Sequence, residues 1–178
     1  HGCDWSSDVC SSDLQDASLA FAVSSFIAGS NKGGGPWRWD ATVPRSNHDG
    51  FTVASPTVPF AGSTASNILA FLTGAGETAP TANGCFVREF TGDIQVEWAG
   101  AGGLADSAVL QYLITKCLPR NCVITGSGAY VLDAGLVIPT YRIDPPTYKD
   151  YVRLELRLNE VTYTATSEIG RASCRERG

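Results

Sequence analysis

Ser46, His48 and Asp49 fall together in "SNHDG" at 46–50, and they are the three side-chain types of nucleophilic hydrolysis. A nucleophile, a base and an orienting carboxylate must face one another, which close neighbours on one loop rarely do. A polar turn is the expected outcome. "GAGGLA" at 100–105 offers different chemistry, because Gly100, Gly102 and Ala105 match the G-x-G-x-x-[G/A] dinucleotide pattern. In that role the glycines would let a pyrophosphate approach a helix N-terminus. The segment before it alternates polar and apolar residues, whereas a central parallel strand is apolar throughout. Beyond Asp106 the next acid is Asp133, too far on for the ribose carboxylate of that pattern. A flexible strand-to-helix connection is therefore expected. "NKGGG" at 31–35 lacks the Gly-Lys-Ser/Thr triplet of a phosphate loop.

Asp144, Asp150, Glu155 and Glu160 could supply a carboxylate pair for glycoside chemistry, but their spacing says nothing about facing geometry. Solvated surface charges are the expectation. Cys85, Cys117 and Cys122 with His48 reach the four ligands that zinc needs, without a recognisable spacing. They read as reduced, mostly packed thiols of a chain folded inside a cell. Trp37 and Trp39 could stack on sugars or bases if exposed, or anchor their loop to its own domain or a neighbouring subunit. No catalytic, cofactor-binding or metal-binding residue is expected, and the chain reads as no enzyme.

The elements that would position these residues are uneven. The first half is loop-rich. "GSNKGGGPWRWD" at 29–40 reads as a turn or exposed loop. "SLAFAVSSFIAG" at 18–29 reads as a short helix or strand, and "FTVASPTVPF" at 51–60 as an edge strand or extended arm broken by Pro56 and Pro59. "TASNILAFLTGAG" at 64–76 suits a short helix capped by Thr64 or Ser66 and stopped by Gly74. In the second half, Ile94, Val96 and Trp98 alternate with Gln95 and Glu97, which predicts a half-buried strand. A packed helix is expected at about 104–118, with Lys116 in its last turn and Pro119 ending it. Residues 120–144 read as two strands hinged at Gly126–Gly128. "YVRLELRLNE" at 151–160 sets Val152, Leu154, Leu156 and Leu158 against Arg153, Glu155, Arg157 and Asn159, which predicts a long antiparallel strand with one dry face. The expected class is mainly β (α+β), an antiparallel β-sandwich or barrel with one packed helix.

Both ends differ from this pattern. "WSSDVCSSDL" back-translates to a string resembling a short-read sequencing adapter, and "EIGRASCRER" resembles the companion adapter. Residues 1–14 and 168–178 are therefore expected to be adapter-derived and unstructured, and 15–167 to be one β-rich domain. The chain has no methionine, so its true N-terminus, its C-terminus or both are expected to be missing. Five of its 18 acids (Asp4, Asp8, Asp13, Glu168, Glu176) and three of its 13 bases (Arg171, Arg175, Arg177) lie in those ends. The remainder carries about −3. That balance argues against a nucleic-acid-binding surface, and no apolar run is long enough to span a bilayer.

From about Val87 to Thr166 the order of elements resembles phage tail tube proteins. "FTGDIQVEW", "ADSAVLQYLITKC", "GAYVLDAGLVIPTYRID" and "KDYVRLELRLN" occupy the slots of a strand, a helix packed on one side of the sheet, and a returning hairpin of long strands. The resemblance implies a non-enzymatic virion protein without cofactors, assembled in the host bacterial cytoplasm. Its partners would be copies of itself, in stacked six-membered rings through which a genome passes, and other tail proteins. Arg153, Glu155 and Arg157 would then face a lumen or a neighbouring copy. The rival readings are another virion β-sandwich (capsid, decoration or tail completion) and a secreted carbohydrate-binding or adhesive β-sandwich using Trp37 and Trp39.

Overall fold

A computed structural model describes residues 3–4, 15, 20–102, 106–120, 122–137 and 155–163. Among the described residues, eight strands, β1 (Cys3–Asp4), β2 (Ala20–Ser25), β3 (Gly33–Pro44), β4 (Val53–Ala54), β5 (Asn83–Arg88), β6 (Ile94–Gln95), β7 (Val123–Leu132) and β8 (Glu155–Tyr163), form two sheets. The first has the order β1-β2-β3-β5-β4 and the second β6-β7-β8. Two helices, α1 (Ala65–Thr73) and α2 (Ser107–Cys117), complete a mainly β, α+β fold.

The first sheet is antiparallel from β2 to β4, and β1 adds in parallel through Cys3↔Val23 and Asp4↔Ser25. Segment 29–40 is not the exposed loop its glycines suggested, because β3 occupies most of it. Trp-x-Trp is itself a period-two pattern, and both indoles point into the core. Glycine is required where β3 begins: a Cβ on Gly33 would lie 2.0 Å from the Glu97 carbonyl oxygen, and its φ is +73°. β4 is short and lies at the sheet edge, as the flanking prolines predicted.

Both helices follow their local signals. The Thr64 hydroxyl accepts the Asn67 amide at 3.3 Å at the start of α1, and Gly74 ends it with a left-handed φ of 75°. Ile68, Phe71 and Leu72 form its buried face. α2 buries Val109, Leu110, Leu113 and Ile114, with Lys116 in the last turn, and a 3-10 turn at Leu118–Arg120 follows. The fold class as expected carried one packed helix; the described residues form two.

The second sheet departs further from expectation. The strand expected through Trp98 is only β6, and Val96–Ala99 is a 3-10 turn. Its cause is Glu97, whose carboxylate turns inward instead of alternating out to solvent. Residues 123–132 form one strand, and the expected hinge at Gly126–Gly128 is a register shift within it. β8 runs parallel to β7, not antiparallel, with Ile124↔Leu156 and Thr125↔Arg157 in register. β6 is also parallel to β7, through Ile94↔Ile124 and Gln95↔Thr125. The second sheet therefore presents an apolar row, Ile94–Ile124–Leu156, and an opposing polar row, Gln95–Thr125–Arg157. Leu156 and Leu158 pack on the core as predicted. Val152, Arg153 and Leu154 lie outside the described residues.

Arg88 joins the two sheets. It lies two residues after Phe86 on β5, so it shares the inward phase, and it is 4 % exposed. Its Nε donates to the Phe51 carbonyl at 2.8 Å, Nη1 to that of Gly34 at 2.6 Å and Nη2 to that of Gly33 at 3.0 Å. The guanidinium lies between the Trp37 and Trp98 rings, 4.4 and 4.6 Å from their centroids. One ring comes from the first sheet and the other from the turn that follows β6. Burial pulls the Arg88 pKa down to about 9.

Candidate functional site

Of the three residues expected at a self-association surface, Glu155 and Arg157 lie on β8, while Arg153 is outside the described residues. β8 is the outer strand of its sheet, paired among the described residues with β7 alone. The Arg157 side chain is 57 % exposed; its Nε meets Glu155 Oε1 at 2.5 Å and its Nη1 meets Asp93 Oδ2 at 4.0 Å. The bond to the Glu155 carboxylate raises the guanidinium pKa further. Of the candidate carboxylate pair, Asp144, Asp150 and the Glu160 side chain lie outside the description, and Glu155 is engaged by Arg157.

The His48–Asp49 turn is structural in geometry. Asp49 is 1 % exposed, and its Oδ1 accepts the amides of Phe51, Thr52 and Val53 at 3.0, 2.7 and 2.8 Å. Its Oδ2 takes a short bond from the Thr52 hydroxyl and an ion pair with Arg120 at 3.2 Å. His48 Nε2 lies 2.6 Å from the Phe71 carbonyl oxygen, so it donates there, and Nδ1 accepts the Ser55 amide at 3.0 Å. That pattern needs a neutral ring, and burial lowers the imidazole pKa accordingly. Neither ring nitrogen is aimed at Ser46, so the three residues are not assembled as a triad.

At the Gly100–Ala105 turn, residues 103–105 lie outside the description, but the surroundings are clear. β6, α2 and β7 make a parallel crossover, the arrangement nucleotide sites use. Two carboxylates of the chain itself fill the positions where phosphate oxygens would be held. Asp106 accepts the Gly102 amide at 3.0 Å and the Val131 amide at 2.9 Å. Glu97, 6 % exposed, accepts the amides of Ser127 and Gly128, each at 3.1 Å, and a short bond from the Tyr130 hydroxyl. A pyrophosphate would meet these two carboxylates at close range. Glu97 and Arg88 were not singled out by sequence reasoning. The available signal was a charged residue in the inward phase, at position 88 two residues after Phe86.

Trp37 and Trp39 are 0 and 8 % exposed, so they are core residues and not a sugar-stacking platform. The three described cysteines are free thiols. Burial pushes Cys85 up to about 11, and its Sγ faces the Pro44 carbonyl at 3.6 Å. Cys122 is half-buried and lines a cleft of about 510 Å³ between the sheets, with Val53, Val87, Phe90, Ile94 and Arg120. Among the described residues no cluster of His, Cys, Asp and Glu suits a metal ion, and no helix is long and apolar enough to cross a membrane.

Residues 15–91 match the family model of the phage tail protein small four-stranded beta-sheet domain. The segment contains β2, β3, β4 and β5, four strands that make one antiparallel run. The match falls on the half for which the tail tube resemblance offered no counterpart, and overlaps that resemblance only at 87–91. No curated protein sequence matches the chain. Among solved structures, full-length tailspike protein 2 from Escherichia coli O157:H7 bacteriophage CAB120 is similar at TM-score 0.48 and 15% identity, over 75% of this chain and 14% of that one. The enzymatically active domain of bacteriophage CBA120 tailspike protein 2 gives the same TM-score and identity, over 75% of this chain and 16% of its own. This chain thus spans less than a fifth of either. The family match, seated on the sheet that β2 to β5 build, supports a phage tail protein and a component of the virion.

Proposed function

We propose that this chain is a non-enzymatic structural protein of a phage tail that assembles with copies of itself and with other tail proteins. Stacked tube rings formed in the host cytoplasm are the first arrangement to consider. The observation that carries self-assembly is the outer position of β8, a nine-residue strand. Among the described residues no strand pairs with its far side, which is a template for another strand, and natural proteins cover such edges. Alternating Glu155 and Arg157 would give a second copy both signs of charge to pair with. The non-enzymatic reading is supported by how His48, Asp49, Glu97 and Asp106 spend their hydrogen bonds on main-chain groups.

The parallel course of β7 and β8 favours a second reading, a tail component other than the tube, because the tube resemblance took these strands as a returning hairpin. Negative-stain electron microscopy with light scattering separates the two. Stacked rings support the tube, closed oligomers that do not stack support the second reading, and a strict monomer at high concentration overturns self-assembly.

A further inference from the structure

The cleft of about 510 Å³ between the sheets combines apolar walls with an imbalance of charge. Val53 and Val87 pair across β4 and β5, and Phe90, Ile94 and Val123 extend the apolar surface. Phe90 is 40 % exposed and packs edge-on against Trp98, with ring centroids 4.9 Å apart. The charged residues lining the same space are Arg88, Arg120 and Asp93. Arg88 is 4 % exposed, and its pKa of about 9 keeps it protonated at neutral pH. Among the described residues its guanidinium donates to three carbonyls and makes no ion pair. A buried charge is ordinarily matched by an opposite one. Asp49 is the acid whose field reaches Arg88, and that carboxylate is already paired with Arg120 at 3.2 Å. Asp93, 41 % exposed, is turned to Arg157 at 4.0 Å. Arg120 is 48 % exposed, and among the described residues only its Nη1 is engaged, by Asp49. Two cations against one acid, set in apolar walls, concentrate an anion.

We infer that this cleft is a binding site for a small organic carboxylate, whose ring-sized apolar body lies against Val53, Val87 and Phe90 while its carboxylate accepts from Arg120 within the field of Arg88. Pockets of a few hundred cubic ångström with mostly apolar walls and a few polar groups typically enclose ligands of this kind. The ligand supplies the negative charge that the described residues do not place beside Arg88. The planar fork of Arg120 suits two carboxylate oxygens, and the bond to Asp49 fixes that side chain in advance. An inorganic anion would answer the charge and leave the walls wet. A neutral ligand would cover the walls and leave Arg88 unmatched. The site lies apart from self-assembly through β8 and does not depend on it.

The probe is 3-phenylpropanoate, and equilibrium dialysis against the full chain reads bound probe per chain for a monomer and an assembly alike. Saturable uptake is expected, with a Kd of about 1 mM or tighter. 3-Phenylpropanamide lacks the charge and acetate lacks the ring, so each should bind roughly tenfold more weakly or worse. Arg120→Gln should weaken the probe roughly tenfold. Phe90→Ser should do the same from a partly exposed position that leaves the fold intact, and a thermal melt checks both variants. Three results would overturn the site: no saturable uptake, amide or acetate binding as tightly as the probe, or a folded variant of either kind that binds as the wild type does.

Discussion

Asp49 holds its turn through bonds that no other side chain of its size could make. Three amides, a hydroxyl and Arg120 converge on one buried carboxylate. Asp49→Ala would strand those donors and should lower unfolding free energy by about 2–4 kcal/mol in urea titration. A loss below about 0.5 kcal/mol would contradict this account. His48 beside it predicts a pH dependence. Its folded pKa lies below the ordinary 6.5, so the neutral ring's contribution is fully present above that value. As pH falls through 6.5 toward the lower folded value, the unfolded chain takes up the proton first and stability declines. His48→Gln keeps one donor and one acceptor and should flatten the decline between about pH 7 and pH 5 in a thermal-melt series. That "SNHDG" was a turn could be read directly. The inward aim of Glu97 could not, because period-two alternation assigns a glutamate between Val96 and Trp98 to solvent.

Elements were legible where the local chemistry was complete. Thr64, Gly74 and Pro119 marked helix boundaries because capping depends on near neighbours. The direction of β8 was not legible, because side chains alternate equally in parallel and antiparallel strands, and pairing is decided by distant segments. The triple glycine hid β3, since the backbone freedom that suggests a loop also permits close approach to Glu97. Arg88 offers the sharpest test at this scale, as it ties β3, β5 and the turn after β6 through three carbonyls and two indoles. Arg88→Ala should cost about 3–5 kcal/mol, and Arg88→Lys should recover only part of it, since an ammonium cannot fill the planar slot. Chemical denaturation monitored by tryptophan fluorescence would report the loss directly.

At the scale of the molecule, the charge on β8 can be separated from stability. Arg157 is exposed, so Arg157→Glu should change monomer unfolding by about 0.5 kcal/mol or less. The same change sets three acids together with Glu155 and Asp93. If β8 meets another copy, it should weaken self-association roughly tenfold by sedimentation velocity. An unchanged association constant would move the interface elsewhere. The similarity to a phage tail beta-sheet domain on 15–91 was not legible in the residue pattern, because strand alternation and mild charge are shared by many β proteins.

The parallel course of β7 and β8 also bears on the order in which the chain acquires its shape. β2 and β3 join through a short hairpin, so they can zip together while synthesis continues. β8 must instead wait for a pairing with β7 across more than twenty intervening residues. Closing such a distant contact is slow, and until it closes Ile124 lacks the Leu156 beside it. Until that contact closes, a nascent copy carries a settled antiparallel sheet beside a β7 without its partner, and that interval is when copies are most prone to clump.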